Sequence, residues 1–323
     1  MQDRKKSRFT FLTLTLIVGS TDLTGKVVPM TQTTPASRPF LPPVPAAIAA
    51  MLSIQAGAAF AKSLFATIGP MGTTSLRLAL AALVLGLIHQ KALRGMKFEA
   101  WRAILPYGLV LGLMNLTFYL SVERLPLGLA VTLEFIGPLG VAVLSSRKPL
   151  DYLWALLAGL GILLISPWTP GSNVDPIGVM WALIAGVFWG LYIVMGQKVS
   201  QQASSRQIVA AGMLIACIIP FPIGVFTAGT ALLEPAILLT GLAVAVLSSA
   251  LPYSLEMVAL KALPARTFGI LMSVEPAIAA VLGMVFLKEH LNLLQWMAIV
   301  CVIGASIGST LGSRNTTHAE VLN

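Results

Sequence analysis

Of the 323 residues, 57% are hydrophobic and only 10% are charged, and the mean hydropathy is +0.87. A water-soluble fold of this length needs a large charged surface, so the composition excludes a soluble globular protein and points to a polytopic all-α membrane protein. The formal charge of +9 suits loops beside anionic lipid and calls for no nucleic acid partner.

Residues 1–43 precede the first long apolar run. In them "RKKSR" leads into "FTFLTLTLIVG", a basic flank with an apolar core too short to span a bilayer, and no small-residue cleavage site follows within "STDLTGKVVPM". The segment reads as an N-terminal tail, or as a start assigned upstream of a true one at Met30.

Ten apolar stretches follow, each long enough to cross about 30 Å of hydrocarbon. They cover 44–66, 73–89, 103–121, 126–146, 150–168, 176–197, 207–228, 236–260, 267–287 and 291–311, with 312–323 as a C-terminal tail. With the N-terminus in the cytoplasm, inside segments hold Lys91, Arg94, Lys97, Arg102, Arg147, Lys148, Lys198, Arg206, Lys261, Arg266 and Arg314, whereas outside loops hold Arg124 and Lys288. One miscounted helix inverts every later loop and destroys this bias, so both termini are predicted to be cytoplasmic.

The fourth span repeats in the ninth. "ERLPLGLAVTLEFIGPLGVAVL" at 123–144 aligns without gaps on "KALPARTFGILMSVEPAIAAVL" at 261–282, matching Leu125 and Pro126 to Leu263 and Pro264, Pro138 to Pro276, and Ala142 to Leu144 with Ala280 to Leu282. An offset of five helices is odd, so the copies cross in opposite directions: 44–168 and 176–311 form two inverted five-helix repeats, the layout of secondary transporters with a midplane site. Pro138 deletes the donor for the carbonyl of Glu134, Pro276 that for Met272, and Pro252 adds a third predicted kink in the eighth span.

A charge inside a span costs about 2.5 to 3.5 kcal/mol on insertion scales, so each one needs a reason. Glu134 and Glu275 fall near the middle of their spans, where a carboxyl can exchange a proton or accept a substrate ammonium; the alternatives are an ion pair from Glu134 to Lys62 or Arg77 and a packing hydrogen bond from Glu275. Lys62, toward the outer face, can bind a carboxylate or extend its stem to the interface. Arg77, also placed toward the outer face, reads as a structural charge, as does Glu256 within reach of Lys261 or Arg266. Gln55, Asn115 and Tyr253 are softer pathway candidates beside Tyr119, Trp189, Tyr192 and Ser249, most of which suit packing or the interface belt. The spacings Gly108/Gly112, Gly186/Gly190 and Gly304/Gly308 predict close helix contact.

"GAAFAKS" at 57–63 is one residue short of a phosphate-binding loop and lacks its second glycine. Without a nucleotide-binding domain, transport runs on a gradient. Cys217 and Cys301 sit in apolar runs, and His89, His290 and His318 are scattered, so neither a metal nor another cofactor is expected. Intramembrane hydrolysis needs a nucleophile with its base, a His-Glu-x-x-His run or paired aspartates within spans, and the sequence has none of these, so an enzyme is not expected.

Four segments, "SIQAGAAFAKSLF", "LRLALAAL", "LPLGLAVTLEFIGPLGVAVLSSRKPLDYLW" and "LSSALPYSLEMVALKALPARTFGILMSVEPAIAAVLGMVFL", resemble the drug/metabolite transporter superfamily in its EamA-like branch, and within it the bacterial threonine/homoserine exporters. The resemblance covers residues 50–311. It implies a multi-pass protein of the bacterial inner membrane that exports small amino acids by alternating access with proton motive force. An exporter of the same fold for aromatic amino acids, purines, cations or drugs is the alternative.

Overall fold

Prolines at helix starts, where the missing N–H has no intrahelical partner to lose, open the first span at Pro43–Ser63, the sixth at Pro176–Ser200 and the eighth at Pro235–Ala245. The structure, a computed structural model, describes residues 42–144, 149–165, 174–262 and 271–312. The expected tail or alternative start within residues 1–41 lies outside the described residues, as do Arg147, Lys148, Arg266 and Arg314.

Among the described residues six helices are long and apolar enough to cross a membrane. Four shorter apolar stretches, Leu127–Val141, Tyr152–Leu164, Glu275–Leu287 and Leu293–Gly308, fall at the fourth, fifth, ninth and tenth expected spans. The second differs from expectation. Its helix runs Phe65–Ile88 through a bend at Gly69, whose φ of 66° is open to glycine and whose neighbour Pro70 has no N–H to give. Arg77 therefore sits near the middle of this helix rather than toward the outer end that a start at 73 implied.

Helix pairing follows a two-fold pattern. The third span, Phe98–Arg124, lies along the sixth, and their counterparts five helices away, the eighth and first, also pack together. The second packs on the seventh, Ser205–Ala216 with Pro220–Ala228, the fifth on the tenth and the fourth on the ninth. Exchanging the halves maps each of these pairings onto itself or onto another.

Ion pairs and side-chain bonds near helix ends sort the loops. At one end Lys62 meets Glu289 and the Leu125 carbonyl, and Arg124 meets Asp175, which gathers the first, third, fifth and ninth connections. Gln207, whose Oε1 accepts the Ser204 N–H at 3.0 Å in a capping arrangement, donates from Nε2 to the Ala92 carbonyl at 3.3 Å, joining the second and sixth connections at the other end. Among the described residues the first, third, fifth and ninth connections thus gather at one end of the bundle and the second and sixth at the other.

Two of the three glycine pairs mark tight approaches, and in the third Gly308 does while Gly304 makes only ordinary contact with Leu157. Gly108 and Gly112 face the seventh span at Ile215 and Ala216, Gly186 and Gly190 face the fourth at Glu134 and Gly137, and Gly308 lies against the Trp154 ring.

Candidate functional site

Each proline expected to disturb a span follows a departure from regular helix, the same kind at Pro138 and Pro276 and another at Pro252. The fourth span stops at Glu134, turns at Phe135 and resumes as Ile136–Leu144 with Pro138 in its first turn. The ninth turns at Ser273 and Val274, the positions aligned with Phe135 and Ile136, and resumes as Glu275–Leu287 with Pro276 next. Matched prolines therefore produce matched breaks, because each removes the donor for a carbonyl one turn earlier. In the eighth span the chain widens into a π turn over Val246–Ala250 before Pro252. In that register Pro252 lacks the N–H due to the Leu247 carbonyl, and the Ser53 hydroxyl of the first span donates to that oxygen instead, at 2.6 Å.

The two acids occupy opposite lips of these breaks. Glu134 is the last helical residue before one and Glu275 the first after the other; both are buried, at 7% and 4% exposure. The Gln55 amide donates from Nε2 to Glu275 Oε1 at 2.9 Å, while Gln55 Oε1 and Glu275 Oε2 have no protein hydrogen-bond partner. Glu134 makes no ion pair among the described residues, and its backbone lies so close to the sixth span that a Cβ on Gly186 comes within 2.8 Å of its carbonyl oxygen. Glu275 lies within electrostatic reach of both Glu134 and Glu256, so three carboxyl groups share one region.

Arg77 lies within electrostatic reach of Glu134. Its Nη2 donates to Asn115 Oδ1, its guanidinium carbon lies 4.8 Å from the centre of the Tyr119 ring, and its Nε has no partner. Asn115 is held for this by its own amide, which donates to the Leu111 carbonyl at 2.8 Å. The Tyr253 ring, half-buried, is in electrostatic reach of Arg77 and Glu256, and the Tyr107 and Tyr192 rings stack nearby at 4.9 Å between centroids. Glu256 is half-buried; its expected partners Lys261 and Arg266 lie outside what the structure describes of side chains.

Lys62 lies elsewhere. Its Nζ donates to Glu289 Oε1 at 2.7 Å and to the Leu125 carbonyl at 3.2 Å, and Glu289 Oε2 accepts the Leu127 N–H at 2.8 Å. The allowed pairing of Lys62 with Glu134 is not made, because a carboxylate at the helix end is within reach and a midspan one is not. Glu289 escaped sequence reasoning: it stands in the polar run "KEHLN", where an acid carries no mark of a tertiary partner. Asp175 escaped for the same reason. It caps the sixth span by accepting the Ile177 N–H at 2.8 Å and pairs with Arg124 at 2.9 Å, and the Arg124 guanidinium holds its carboxyl below the usual carboxylate range.

The family model described as the EamA-like transporter family matches residues 176–311. The chain is 51% identical to the threonine/homoserine exporter RhtA of Salmonella typhimurium over 84% of this chain and 92% of that one. It is 48% identical to the threonine/homoserine exporter RhtA of Escherichia coli over 87% and 95% of the two chains. A solved crystal structure of a protein 17% identical aligns with a TM-score of 0.56 over 83% of this chain and 98% of its own, which shows the fold. A bundle of apolar helices, the family match and about 50% identity over more than four fifths of its length make this chain a multi-pass membrane protein that belongs to the EamA-like transporter family, together with the RhtA proteins.

Proposed function

We propose that this protein is a secondary transporter that exports threonine, homoserine and similar small amino acids across the bacterial inner membrane, with both termini in the cytoplasm. The observation that carries the reading is the pair of buried acids at the two helix breaks, Glu134 and Glu275, in a chain half identical to exporters of those amino acids. A carboxylate suits a substrate ammonium, and a carboxyl in the same place can hold or release a proton as the site changes sides. Breaks in both the fourth and ninth spans free backbone groups for ligand and supply hinges, so one half can rock on the other in alternating access. Export runs on the proton gradient, since the matched breaks surround titratable groups and the chain carries no nucleotide-binding motif.

Uptake of radiolabelled threonine and homoserine into inside-out vesicles, with and without an uncoupler, tests this. Uptake that the uncoupler abolishes is expected. Failure to take up either amino acid overturns the substrate assignment, and uptake indifferent to the uncoupler overturns proton coupling.

A further inference from the structure

Arg77 is an unusual residue for its position. A guanidinium remains charged at any accessible pH, yet this one is buried at 6% exposure in the middle of an apolar helix, and among the described residues no carboxylate lies within 4.0 Å of it. The ion pairs among the described residues are Lys62 with Glu289 and Arg124 with Asp175. What Arg77 has instead is neutral: the Asn115 amide oxygen and the face of Tyr119, with Nε left over. Beside it the Tyr119 hydroxyl is turned toward that of Ser248, so these two buried hydroxyls have each other and no further partner among the described residues. A buried guanidinium is ordinarily paired with an acid, and one that keeps Nε open beside two hydroxyls is arranged for something that arrives.

The missing partner must be an anion, and Glu134 indicates its shape. Glu134 lies within electrostatic reach of Arg77 but beyond ion-pair distance, so a buried cation and a buried acid are held apart rather than closed on each other. A zwitterion carries a carboxylate and an ammonium on one carbon, and inserted between them it satisfies both ends. We propose that Arg77, with the hydroxyls of Tyr119 and Ser248, forms the subsite for the carboxylate of the transported amino acid, opposite Glu134, which receives its ammonium. This inference rests on the exporter reading above and assigns one end of its substrate. Asn115 is the positioning residue: it holds one edge of the guanidinium and leaves Nε for the ligand.

The test compares threonine with threonine amide, which keeps the ammonium and hydroxyl but replaces the carboxylate by a neutral group, as competitors of radiolabelled threonine uptake in inside-out vesicles. At about pH 6 both amines are protonated. For the unaltered protein, threonine is expected to compete roughly ten- to a hundredfold better than its amide, the range for a hydrogen-bonded charge. Arg77→Gln is expected to raise the KM for threonine by a similar factor and to erase the preference, and Arg77→Lys to restore part of it. Equal competition by the two compounds in the unaltered protein overturns the proposal without any variant, so misfolding cannot protect it. An Arg77→Gln protein that transports more slowly but keeps the preference also overturns it and makes Arg77 a structural charge. Threonine uptake without carboxylate preference defeats this inference alone, whereas no threonine or homoserine uptake at all defeats the exporter reading and this inference with it.

Discussion

Lys62 and Glu289 join the first span to the loop after the ninth, 227 residues apart, through an Nζ to Oε1 contact of 2.7 Å. The carboxylate uses its second oxygen on the Leu127 N–H, at the start of the fourth span, so three helices meet at one side chain. Glu289→Ala leaves an ammonium and a backbone donor partly buried and is expected to cost about 1 to 3 kcal/mol. Glu289→Gln keeps an acceptor for Leu127 and loses only the charge, so its thermal midpoint in detergent should fall between the two. Equal midpoints for all three proteins count against the junction.

Glu134 has no ion-pair partner among the described residues. Glu134→Gln keeps the shape and removes both the charge and the titratable proton. Export of threonine is expected to fall at least tenfold with protein levels unchanged, and the remaining activity to lose its dependence on external pH. Unchanged export with an unchanged pH profile makes Glu134 a structural residue.

Gly186 faces the Glu134 carbonyl, which a Cβ would approach to 2.8 Å. Gly186→Ala forces the fourth and sixth spans apart by a few tenths of an ångström at the helix break, and Gly186→Leu by far more. Transport is expected to decline in that order while the alanine variant still reaches the membrane. A fully active leucine variant would show that the close approach is incidental.

The Ser53 hydroxyl serves the Leu247 carbonyl that Pro252 cannot. Ser53→Ala should therefore destabilise by about 1 to 3 kcal/mol, the cost of a buried unsatisfied acceptor. Pro252→Ala supplies a backbone N–H, so adding it to Ser53→Ala should recover much of the loss. Additive effects in this double-mutant cycle would refute the exchange of donors.

Asp175 gives a pH dependence with a definite sign. Its hydrogen bonds from Arg124 and from the Ile177 backbone hold its folded carboxyl below the ordinary range, so its contribution is present above the ordinary value and disappears as pH falls through the depressed one. The thermal midpoints of the wild type and Asp175→Asn should therefore differ at neutral pH and converge on acidification. A gap that widens in acid reverses the sign and removes the assignment.

Much of the architecture was legible in the chain itself. Hydrocarbon demands apolar runs of a minimum length, and anionic lipid biases basic residues to alternate loops, so span number follows from composition and spacing alone. The breaks near Glu134 and Glu275 were legible too, because a proline deletes its donor wherever the chain folds. Which partners the buried charges choose was not, since Lys62 and Glu289 are 227 residues apart and side-chain chemistry does not specify who stands opposite. Nor could the sequence place Arg77 correctly: the bend at Gly69 lengthens its helix and moves it to midspan. Local patterning thus determined the spans, the repeat and the kinks, because those depend on neighbours along the chain. Tertiary packing alone decided that Lys62 ties helix ends together while Arg77 and Glu134 form no ion pair with each other, because distances between helices depend on every contact in the bundle.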